Sequence, residues 1–216
     1  MTFEDRIEAY IDSLDTGNTP FLDRLEEEAL KAYVPIIKRP TQCLLRFLLA
    51  LHRPGRILEI GTAVGFSAIL MATYGPKDCQ ITTIEKFEKR FADAEKHFSD
   101  SGYGTQIRFL KGEAVEILQD LAAAGEQFDL IFMDAAKGQY LRFYEPIREM
   151  MHEGSLLVSD NVLQDGDVVE SRFAVTRRNR TIHSRMREYL YTLTHTDELV
   201  TDILPVGDGV AVSVRK

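Results

Sequence analysis

The spacing of apolar residues predicts three helices in the first quarter of the chain. Apolar side chains recur every three or four positions in residues 3–14, 21–30 and 41–51, which is the spacing of one helix face. The segment TGNTP separates the first helix from the second, and HRPG ends the third, because glycine and proline interrupt helices.

From residue 56 onward the pattern changes to short strands that alternate with helices. The predicted strands cover residues 56–60, 80–85, 107–110, 128–133 and 155–159, with helices over 67–74, 87–99, 114–123 and 140–150 between them. This alternation is typical of a parallel sheet covered by helices on both faces. After a long connection that carries another apolar helix face over 182–193, residues 200–204 and 210–214 predict a closing hairpin.

We therefore predict an α/β fold in a single domain. Its centre is a doubly wound, mostly parallel sheet of seven strands, of Rossmann-like type, which ends in an antiparallel C-terminal hairpin. Residues 1–52 form an N-terminal helical segment and residues 53–216 form the core around the sheet.

Composition limits the class of protein only broadly. The chain has 216 residues, 44% hydrophobic and 28% charged, which suits one globular domain. No apolar run approaches the roughly 18 residues of a membrane helix, and the start MTFEDRIEAY lacks the basic and apolar parts of a signal peptide. With only two cysteines, the expectation is a reduced, cytoplasmic protein with no membrane partner.

Candidate chemistry is expected just after each strand, because doubly wound sheets bind ligands at the carboxyl ends of their strands. After the first strand, Glu59 precedes a turn bracketed by Gly61 and Gly65 that leads into a helix at Ser67. The dinucleotide pattern G-x-G-x-x-G is not met, so a pyrophosphate site is disfavoured. A ligand with a carboxylate and an amine fits the turn, although the glycines can also serve packing alone.

The next two strand ends add a place for a nucleoside. Glu85 follows the second strand, where an acid commonly accepts the hydroxyls of a ribose diol. The alternative for Glu85 is a solvated acid at a strand end. Gly112, Glu113 and Ala114 open the helix after the third strand, where they can border an adenine ring.

Oxygen ligands follow the fourth and fifth strands. Asp134 ends the fourth, and Asp160 and Asn161 end the fifth. Two carboxylates and an amide oxygen suit a hard cation such as Mg²⁺, with positions left for substrate and water. Lys137, three residues after Asp134, is then a candidate catalytic amine. The alternatives are an Asp-Asn loop cap and a solvated surface lysine.

These motifs resemble one family when they are taken together. ILEIGTAVGFSA, TTIEK, DLIFMDAAKGQY and LVSDNVL occur in the order found in the cation-dependent class I O-methyltransferases, which include catechol and caffeoyl-coenzyme A O-methyltransferases. The resemblance runs from about Val34 to Asn161 and continues more loosely to the C-terminus. It implies an S-adenosylmethionine-dependent enzyme that activates a hydroxyl group with a metal, with Mg²⁺ as the expected ion.

The resemblance also implies roles for individual residues. The cofactor contacts it implies are Val34, Ile36, Glu59, Gly61, Gly65, Ser67, Glu85, Gly112, Glu113, Ala114 and Asp134. The metal ligands it implies are Asp134, Asp160 and Asn161, with Asp134 and Lys137 as the catalytic pair and Lys137 assisting deprotonation. Plant members carry a second acid at the position of Ala136, so their substrate contacts are not transferred. A homodimer is expected from the family and from the frequency of twofold assemblies.

A local basic stretch indicates the substrate. The net charge is −8, yet residues 171–187 contain six arginines and no acid, which leaves −14 on the rest of the chain. The six are Arg172, Arg177, Arg178, Arg180, Arg185 and Arg187. Phosphates need such a cluster and a small neutral phenol does not, although most charge runs are merely solvated faces. We predict RNA contacts for all of them except Arg187.

The stretch RRNRTIHSRMREYL, with ILPVGDGVAVSV after it, looks like the bacterial tRNA 5-hydroxyuridine methyltransferases. That resemblance implies methylation of the wobble base in the tRNA anticodon loop to 5-methoxyuridine. The alternative substrates are small catechols or caffeoyl-coenzyme A-like phenols, since coenzyme A also carries phosphates. Two other classes stay open at this point, a nucleotide-dependent oxidoreductase and a non-catalytic RNA-binding module.

Overall fold

The computed structural model describes residues 3–216, and in that part of the chain eight helices surround a seven-stranded sheet. The helices are α1 (Phe3–Ser13), α2 (Pro20–Lys31), α3 (Arg39–His52), α4 (Phe66–Tyr74), α5 (Glu88–Ser101), α6 (Ala114–Ala123), α7 (Tyr140–Glu149) and α8 (Arg180–His195). The strands are β1 (Arg56–Ile60), β2 (Gln80–Glu85), β3 (Ile107–Lys111), β4 (Phe128–Met133), β5 (Met151–Ser159), β6 (Leu199–Leu204) and β7 (Val210–Arg215). Short 3-10 turns cover Lys137–Gln139 and Gln164–Val169.

The strand order is β3-β2-β1-β4-β5-β7-β6, in which the first five strands are parallel and β7 runs antiparallel to both neighbours. The predicted doubly wound α/β sheet with its C-terminal hairpin is confirmed. The chain moves outward from β1 to β3 and then restarts at β4 on the other side of β1. The crevice between the carboxyl ends of β1 and β4 is therefore the place where this topology binds ligands.

Both faces of the sheet are buried, because successive side chains of a strand point to opposite sides. In β4, Leu130 and Phe132 pack into the apolar cluster beneath α2, α3, α4 and α5. Ile131 and Met133 pack into the second cluster, beneath α6, α7 and α8. The N-terminal helices α2 and α3 thus share a core with the sheet.

The strand β5 begins at Met151, four residues before the predicted start. The sequence Glu153-Gly154 is typical of a turn, and Gly154 does adopt a positive φ of 87°. The strand continues past it because the register shifts between Phe128 and Leu130 of β4, which absorbs the additional residues. The Ser155 hydroxyl bridges this irregularity by donating to the Phe128 carbonyl at 2.8 Å.

The helix α1 differs from the other N-terminal helices because its apolar side chains are exposed. The exposed fractions are 63% for Phe3, 43% for Ile7, 66% for Tyr10, 58% for Ile11 and 62% for Leu14. The predicted helical periodicity is therefore correct, but within the described residues the apolar face of α1 packs on no core.

Candidate active site

The carboxyl ends of β1, β4 and β5 are joined by backbone hydrogen bonds that continue the sheet. Asp134 donates its N–H to the Ile60 carbonyl at 3.0 Å, and Asp160 donates to the Met133 carbonyl at 2.9 Å. Because each strand end is bonded to the next, the residues that follow these strands lie side by side at one edge. The predicted cofactor turn and the predicted metal ligands are thus neighbours.

Glycine is required at Gly61 by the close passage of β4. Gly61 has a φ of 105°, and a Cβ atom there would lie 2.0 Å from the Asp134 carbonyl oxygen. At Gly65, glycine is required for a different reason. A Cβ atom on Gly65 would lie 2.6 Å from the ring of Phe98 in α5, so this glycine serves the packing of the turn against a helix.

A cavity of about 590 Å³ opens at this edge of the sheet, a size typical of small-molecule and cofactor sites. Its wall includes ten of the predicted site residues: Val34, Ile36, Gly61, Ser67, Glu85, Glu113, Ala114, Asp134, Lys137 and Asn161. Four others lie behind the wall or beside it: Glu59, Gly65, Gly112 and Asp160. Most of the predicted set therefore surrounds one space.

The carboxylate of Glu85 is held rigidly at the cavity wall. Its Oε1 accepts from the N–H groups of Lys86 at 2.8 Å and Phe87 at 2.9 Å, and its Oε2 accepts from the Ala63 N–H at 2.8 Å. Each carboxylate oxygen can accept two hydrogen bonds, so Oε2 keeps capacity for a hydroxyl donor. This geometry fits the predicted ribose contact.

Glu59 lies behind the cavity wall and is fully buried. Its Oε2 accepts from the Thr83 hydroxyl at 2.5 Å, and its Oε1 has no hydrogen-bond partner among the described residues. Burial raises the pKa of Glu59 to about 7, although the Ser67 and Thr83 hydroxyls oppose the shift. A buried acid with one unpaired oxygen is suited to a nearby cationic group.

The start of α6 forms another side of the cavity. Glu113 and Ala114 are in the wall, whereas Gly112, with a φ of 149°, supports the turn before them. A Cβ atom on Gly112 would lie 3.3 Å from Ile117, so the position is tight for a side chain. Glu113 also lies 3.8 Å from the Lys86 amine, which joins the ends of β2 and β3.

The carboxylates of Asp134 and Asp160 influence each other. Burial first, and then the negative charge of Asp134, raise the pKa of Asp160 to about 7, although hydrogen bonds from Asn161 and Thr41 act in the opposite direction. The Thr41 hydroxyl donates to Asp160 Oδ1 at 3.3 Å. Burial also raises the pKa of Asp134, which the nearby Lys137 lowers. Two acids that disfavour each other's ionisation form a site that a cation would stabilise.

The third predicted ligand, Asn161, has an unpaired oxygen. Its backbone is left-handed, with a φ of 60°, and its Oδ1 is buried without a hydrogen-bond partner among the described residues. An orphaned amide oxygen is costly unless a ligand satisfies it. Asn161 is therefore a site-forming residue more than a simple loop cap.

The donor set as a whole fits a hard cation. Among residues 3–216, no group of three or more His, Cys, Asp or Glu side chains is arranged to hold a metal ion. The candidate set instead combines Asp134 and Asp160 with the amide oxygen of Asn161. Oxygen donors of this kind are those that Mg²⁺ and Ca²⁺ prefer.

Lys137 lies on the 3-10 turn that follows β4 and forms part of the cavity wall. It is partly buried, and its charge is close enough to lower the pKa of Asp134. The alternative of a fully solvated surface amine does not describe this position.

The profile of the family described as O-methyltransferase matches residues 12–216 of the chain. The chain belongs to the O-methyltransferase family. The predicted family and enzyme class are therefore confirmed, and the classes of oxidoreductase and non-catalytic RNA-binding module are set aside. The closer resemblance to tRNA methyltransferases stays a prediction.

Two curated relatives carry names of O-methyltransferases. The chain is 36% identical over 127 residues to a catechol O-methyltransferase of Niastella koreensis, and the match covers 58% of each protein. It is 30% identical over 178 residues to caffeoyl-CoA O-methyltransferase 2 of Zea mays, a match over 79% of this chain and 66% of the relative. The chain thus spans less than two thirds of the length of these two relatives.

A solved structure of the same fold is the SAH-bound methyltransferase of Podospora anserina. It superimposes with a TM-score of 0.86 at 24% identity and covers 99% of this chain and 95% of that one. The seven-stranded sheet and its surrounding helices are therefore those of a methyltransferase fold. Within residues 3–216, none of the helices combines the length and hydropathy needed to cross a membrane.

The five arginines of this O-methyltransferase that are predicted to contact RNA divide into two groups. Arg180 and Arg185 hydrogen-bond to backbone carbonyls: Arg180 contacts Val175 at 3.3 Å, and Arg185 contacts Gly138 at 2.9 Å. The other three predicted RNA contacts are exposed, as Arg185 also is: they are Arg172, Arg177 and Arg178. Among the described residues, none of the predicted RNA contacts forms an ion pair with an acid.

Sequence reasoning missed the part of the site that the C-terminal hairpin supplies. Asp208, in the turn between β6 and β7, forms an ion pair with Lys38 and raises the pKa values of both Asp134 and Asp160. Its carbonyl accepts from the Leu163 N–H at 2.9 Å. The segment PVGDG separates the two strands of the predicted hairpin, and nothing in the local pattern indicates which strand end this connection will reach.

Other missed residues belong to the cavity wall. They include Phe87, Arg90, Gln139, Arg142 and Phe143. All of them start helices or lie one turn into them, beyond the strand ends on which the sequence argument concentrated. The sequence signal that could identify them is their position in the first turn of the helix that follows each strand.

Proposed function

We propose that this protein transfers the methyl group of S-adenosylmethionine to O5 of 5-hydroxyuridine at the wobble position of a tRNA anticodon, with Mg²⁺ bound at the strand ends. The observation that carries the choice of substrate is the set of three exposed arginines without acidic partners, Arg172, Arg177 and Arg178. They lie in the connection that follows the candidate metal ligands.

S-adenosylmethionine fits the cavity at the carboxyl ends of β1 and β2. The remaining acceptor capacity of Glu85 suits the ribose hydroxyls. The N-terminal turn of α4, which includes Ser67, offers free N–H groups for the carboxylate of the methionine part. The unpaired oxygen of Glu59 offers a hydrogen-bond acceptor behind this turn.

The metal would be held by Asp134, Asp160 and the Oδ1 atom of Asn161. A bound hard cation lowers the pKa of a hydroxyl that it contacts and fixes the direction of its oxygen. A cation held there would suit the two neighbouring oxygens of 5-hydroxyuridine, O4 and O5, as it would suit the paired oxygens of a catechol. The residues around the ion then determine how the oxygen faces the methyl donor.

Lys137 is the candidate proton acceptor for the substrate hydroxyl. Its position in the cavity wall, three residues after Asp134, places Lys137 on the same cavity as the candidate metal ligands Asp134 and Asn161. Lys137 either removes the proton or stabilises the negative charge, and both roles lower the barrier to attack on the methyl carbon.

The exposed arginines can bind the phosphates of an anionic polymer. An anticodon loop is single-stranded, so its bases can turn outward while side chains hold the phosphates on either side. Arg172, Arg177 and Arg178 are free of internal ion pairs among the described residues, so they lose none on binding phosphate. The catechol and caffeoyl-CoA relatives support the alternative substrates, small phenols and their coenzyme A esters.

The deciding experiment compares three substrates with one enzyme preparation: an anticodon stem-loop that contains 5-hydroxyuridine, catechol, and caffeoyl-coenzyme A. We expect methylation of the RNA with the highest kcat/KM, and turnover of the phenols alone would refute the tRNA assignment. EDTA, and separately the substitution Asp160→Ala, should abolish turnover while the Kd for S-adenosylhomocysteine changes little. Retained turnover in either case would refute the metal assignment.

A charge-matched pair of variants tests the arginines. Replacing Arg172, Arg177 and Arg178 by alanine should weaken RNA binding and reduce the slope of log Kd against log salt by about 2, since a single-stranded phosphate contact contributes roughly 0.7. The control replaces Lys31, Lys77 and Lys96, three exposed lysines elsewhere, by alanine. Equal losses in the two triple variants would show a general charge effect and contradict the proposed contact.

A further inference from the structure

The turn that carries Lys137 is anchored by side chains from two helices. Within the turn, the Gln139 N–H donates to the Ala136 carbonyl at 2.8 Å. The backbone carbonyl of Gly138, two residues after Ala136, accepts from Nη1 of Arg185 at 2.9 Å. On the other side, Nη1 of Arg142 donates to Oε1 of Gln139 at 3.1 Å.

The helix α8 lies directly against this turn. A Cβ atom built on Gly138 would lie 3.5 Å from Nη1 of Arg185 and 3.9 Å from Cγ1 of Ile182, so the turn lies within van der Waals range of the first two turns of α8. The buried face of α8, with Met186 and Tyr189, fixes the helix to the core. The guanidinium of Arg185 is thus attached to a rigid element and reaches a short turn.

We propose that Arg185 is a positioning residue for Lys137, and that it differs in this from the RNA-facing arginines around it. Its hydrogen bond restrains the carbonyl of the residue after Lys137, and thereby the direction from which the Lys137 amine enters the cavity. The proposal rests on the proposed role of Lys137 in methyl transfer. Because a displacement of about 1 Å can cost up to a hundredfold in rate, one such restraint matters for turnover.

The same helix offers a matched control. Arg187, two residues further on, donates to the Val168 carbonyl at 2.9 Å, away from the turn that carries Lys137. The substitutions Arg185→Met and Arg187→Met remove the same charge and the same kind of hydrogen bond. Arg185→Lys restores the charge but not the planar fork of donors.

The test is a double-mutant cycle on kcat, with whichever substrate the wild-type protein methylates, an anticodon stem-loop with 5-hydroxyuridine or catechol. Arg185→Met should lower kcat by about tenfold or more, with Kd for S-adenosylhomocysteine unchanged within about twofold. Arg185→Lys should recover part of the loss, and Arg187→Met should keep the wild-type kcat. In a Lys137→Met background, Arg185→Met should add no further loss, because both changes then affect one function.

Additive losses in this cycle, or an equal loss in Arg187→Met, would overturn the proposal. Amide hydrogen exchange of residues 136–140 provides a measurement that does not depend on the substrate. Exchange should become faster in Arg185→Met and not in Arg187→Met. If the turn is loosened in this way but Lys137→Met retains full activity, the proposed role of Lys137 fails while the anchoring role of Arg185 stands. Unchanged exchange in Arg185→Met refutes the anchoring role itself.

Discussion

Glu59 shows how strongly a single residue in this site departs from its behaviour in water. Its carboxyl group is fully buried beside the cofactor turn, with one oxygen bonded to Thr83 and the other unpaired among the described residues. Burial without a positive partner disfavours the charged form, which is why the pKa of Glu59 rises to about 7. The sequence predicts Glu59 as a cofactor contact, whereas its burial behind the cavity wall depends on the tertiary structure.

This shift predicts how stability depends on pH. The folded protein holds the Glu59 proton up to about pH 7, whereas the unfolded chain releases it near the ordinary value of 4.5. The stabilising contribution is therefore complete below about pH 4.5 and is lost as the pH rises to about 7, a change of roughly 3 kcal/mol. Glu59→Gln should flatten the decline in unfolding free energy between pH 5 and 7, as measured by urea unfolding with EDTA present.

Asp160, whose pKa is also raised to about 7, contributes to the same decline, so Glu59→Gln should remove only part of it. The control is Glu188→Gln, because Glu188 is exposed on α8. If Glu59→Gln and Glu188→Gln gave the same pH dependence as the wild-type protein, the assigned burial effect would be refuted.

At the scale of elements, the turn of the β6–β7 hairpin lies at the same edge of the sheet as the carboxyl ends of β4 and β5, where the candidate site is. This turn contacts the loop after β5 through hydrogen bonds from Leu163 to the Asp208 carbonyl and from Val162 to the Gly209 carbonyl, each 2.9 Å long. Gly209 has a φ of 86°, and a Cβ atom there would lie 2.3 Å from Cγ of Leu163. The hairpin is thus both the end of the sheet and a support for the residues after Asp160.

We predict that Gly209→Ala destabilises the protein and disturbs this support. The left-handed backbone costs an alanine about 1–2 kcal/mol, and the overlap with Leu163 adds a further cost because one of the two segments must move. The matched control is Gly166→Ala, where φ is 93° but no atom lies within 4 Å of the added Cβ. Urea unfolding should show a larger loss for Gly209→Ala, and equal losses would mean that the contact with Leu163 is unimportant.

At the scale of the whole molecule, the exposed apolar face of α1 is the feature that the folded chain leaves unexplained. Apolar patches that no core covers commonly mark a contact with another molecule. Twofold homodimers are the commonest soluble assemblies, so the expected homodimer would use this face. The exposed side chains of Phe3, Ile7, Tyr10 and Ile11 in α1 would then become part of an interface.

We predict a particle of twice 24.6 kDa by light scattering at micromolar concentration. The double substitution Tyr10→Glu and Ile11→Glu should shift the mass toward the monomer, because two charges would be buried at the contact. Val200→Glu is the control, since Val200 is a comparably exposed apolar residue on the edge strand β6, 59% exposed. A monomeric wild-type protein, or a dimer that the α1 variant leaves intact, would contradict the assignment.

The order of strands and helices along the chain, the sheet type and most of the candidate site could be predicted from the sequence. These features depend on local periodicity and on the rule that parallel strands bring their carboxyl ends together, so Gly61, Glu85, Asp134 and Asn161 could be selected from their positions alone. Tertiary structure alone decided that Glu59 lies behind the wall, that Gly65 packs against Phe98, and that Asp208 and Thr41 reach Asp160. It also distinguished Arg185 from the equally exposed Arg177 and Arg178, because Arg185 hydrogen-bonds to the turn of Lys137. The reason is physical: these facts depend on contacts between segments more than 20 residues apart in the chain, and no local pattern encodes which distant atom will fill a given space.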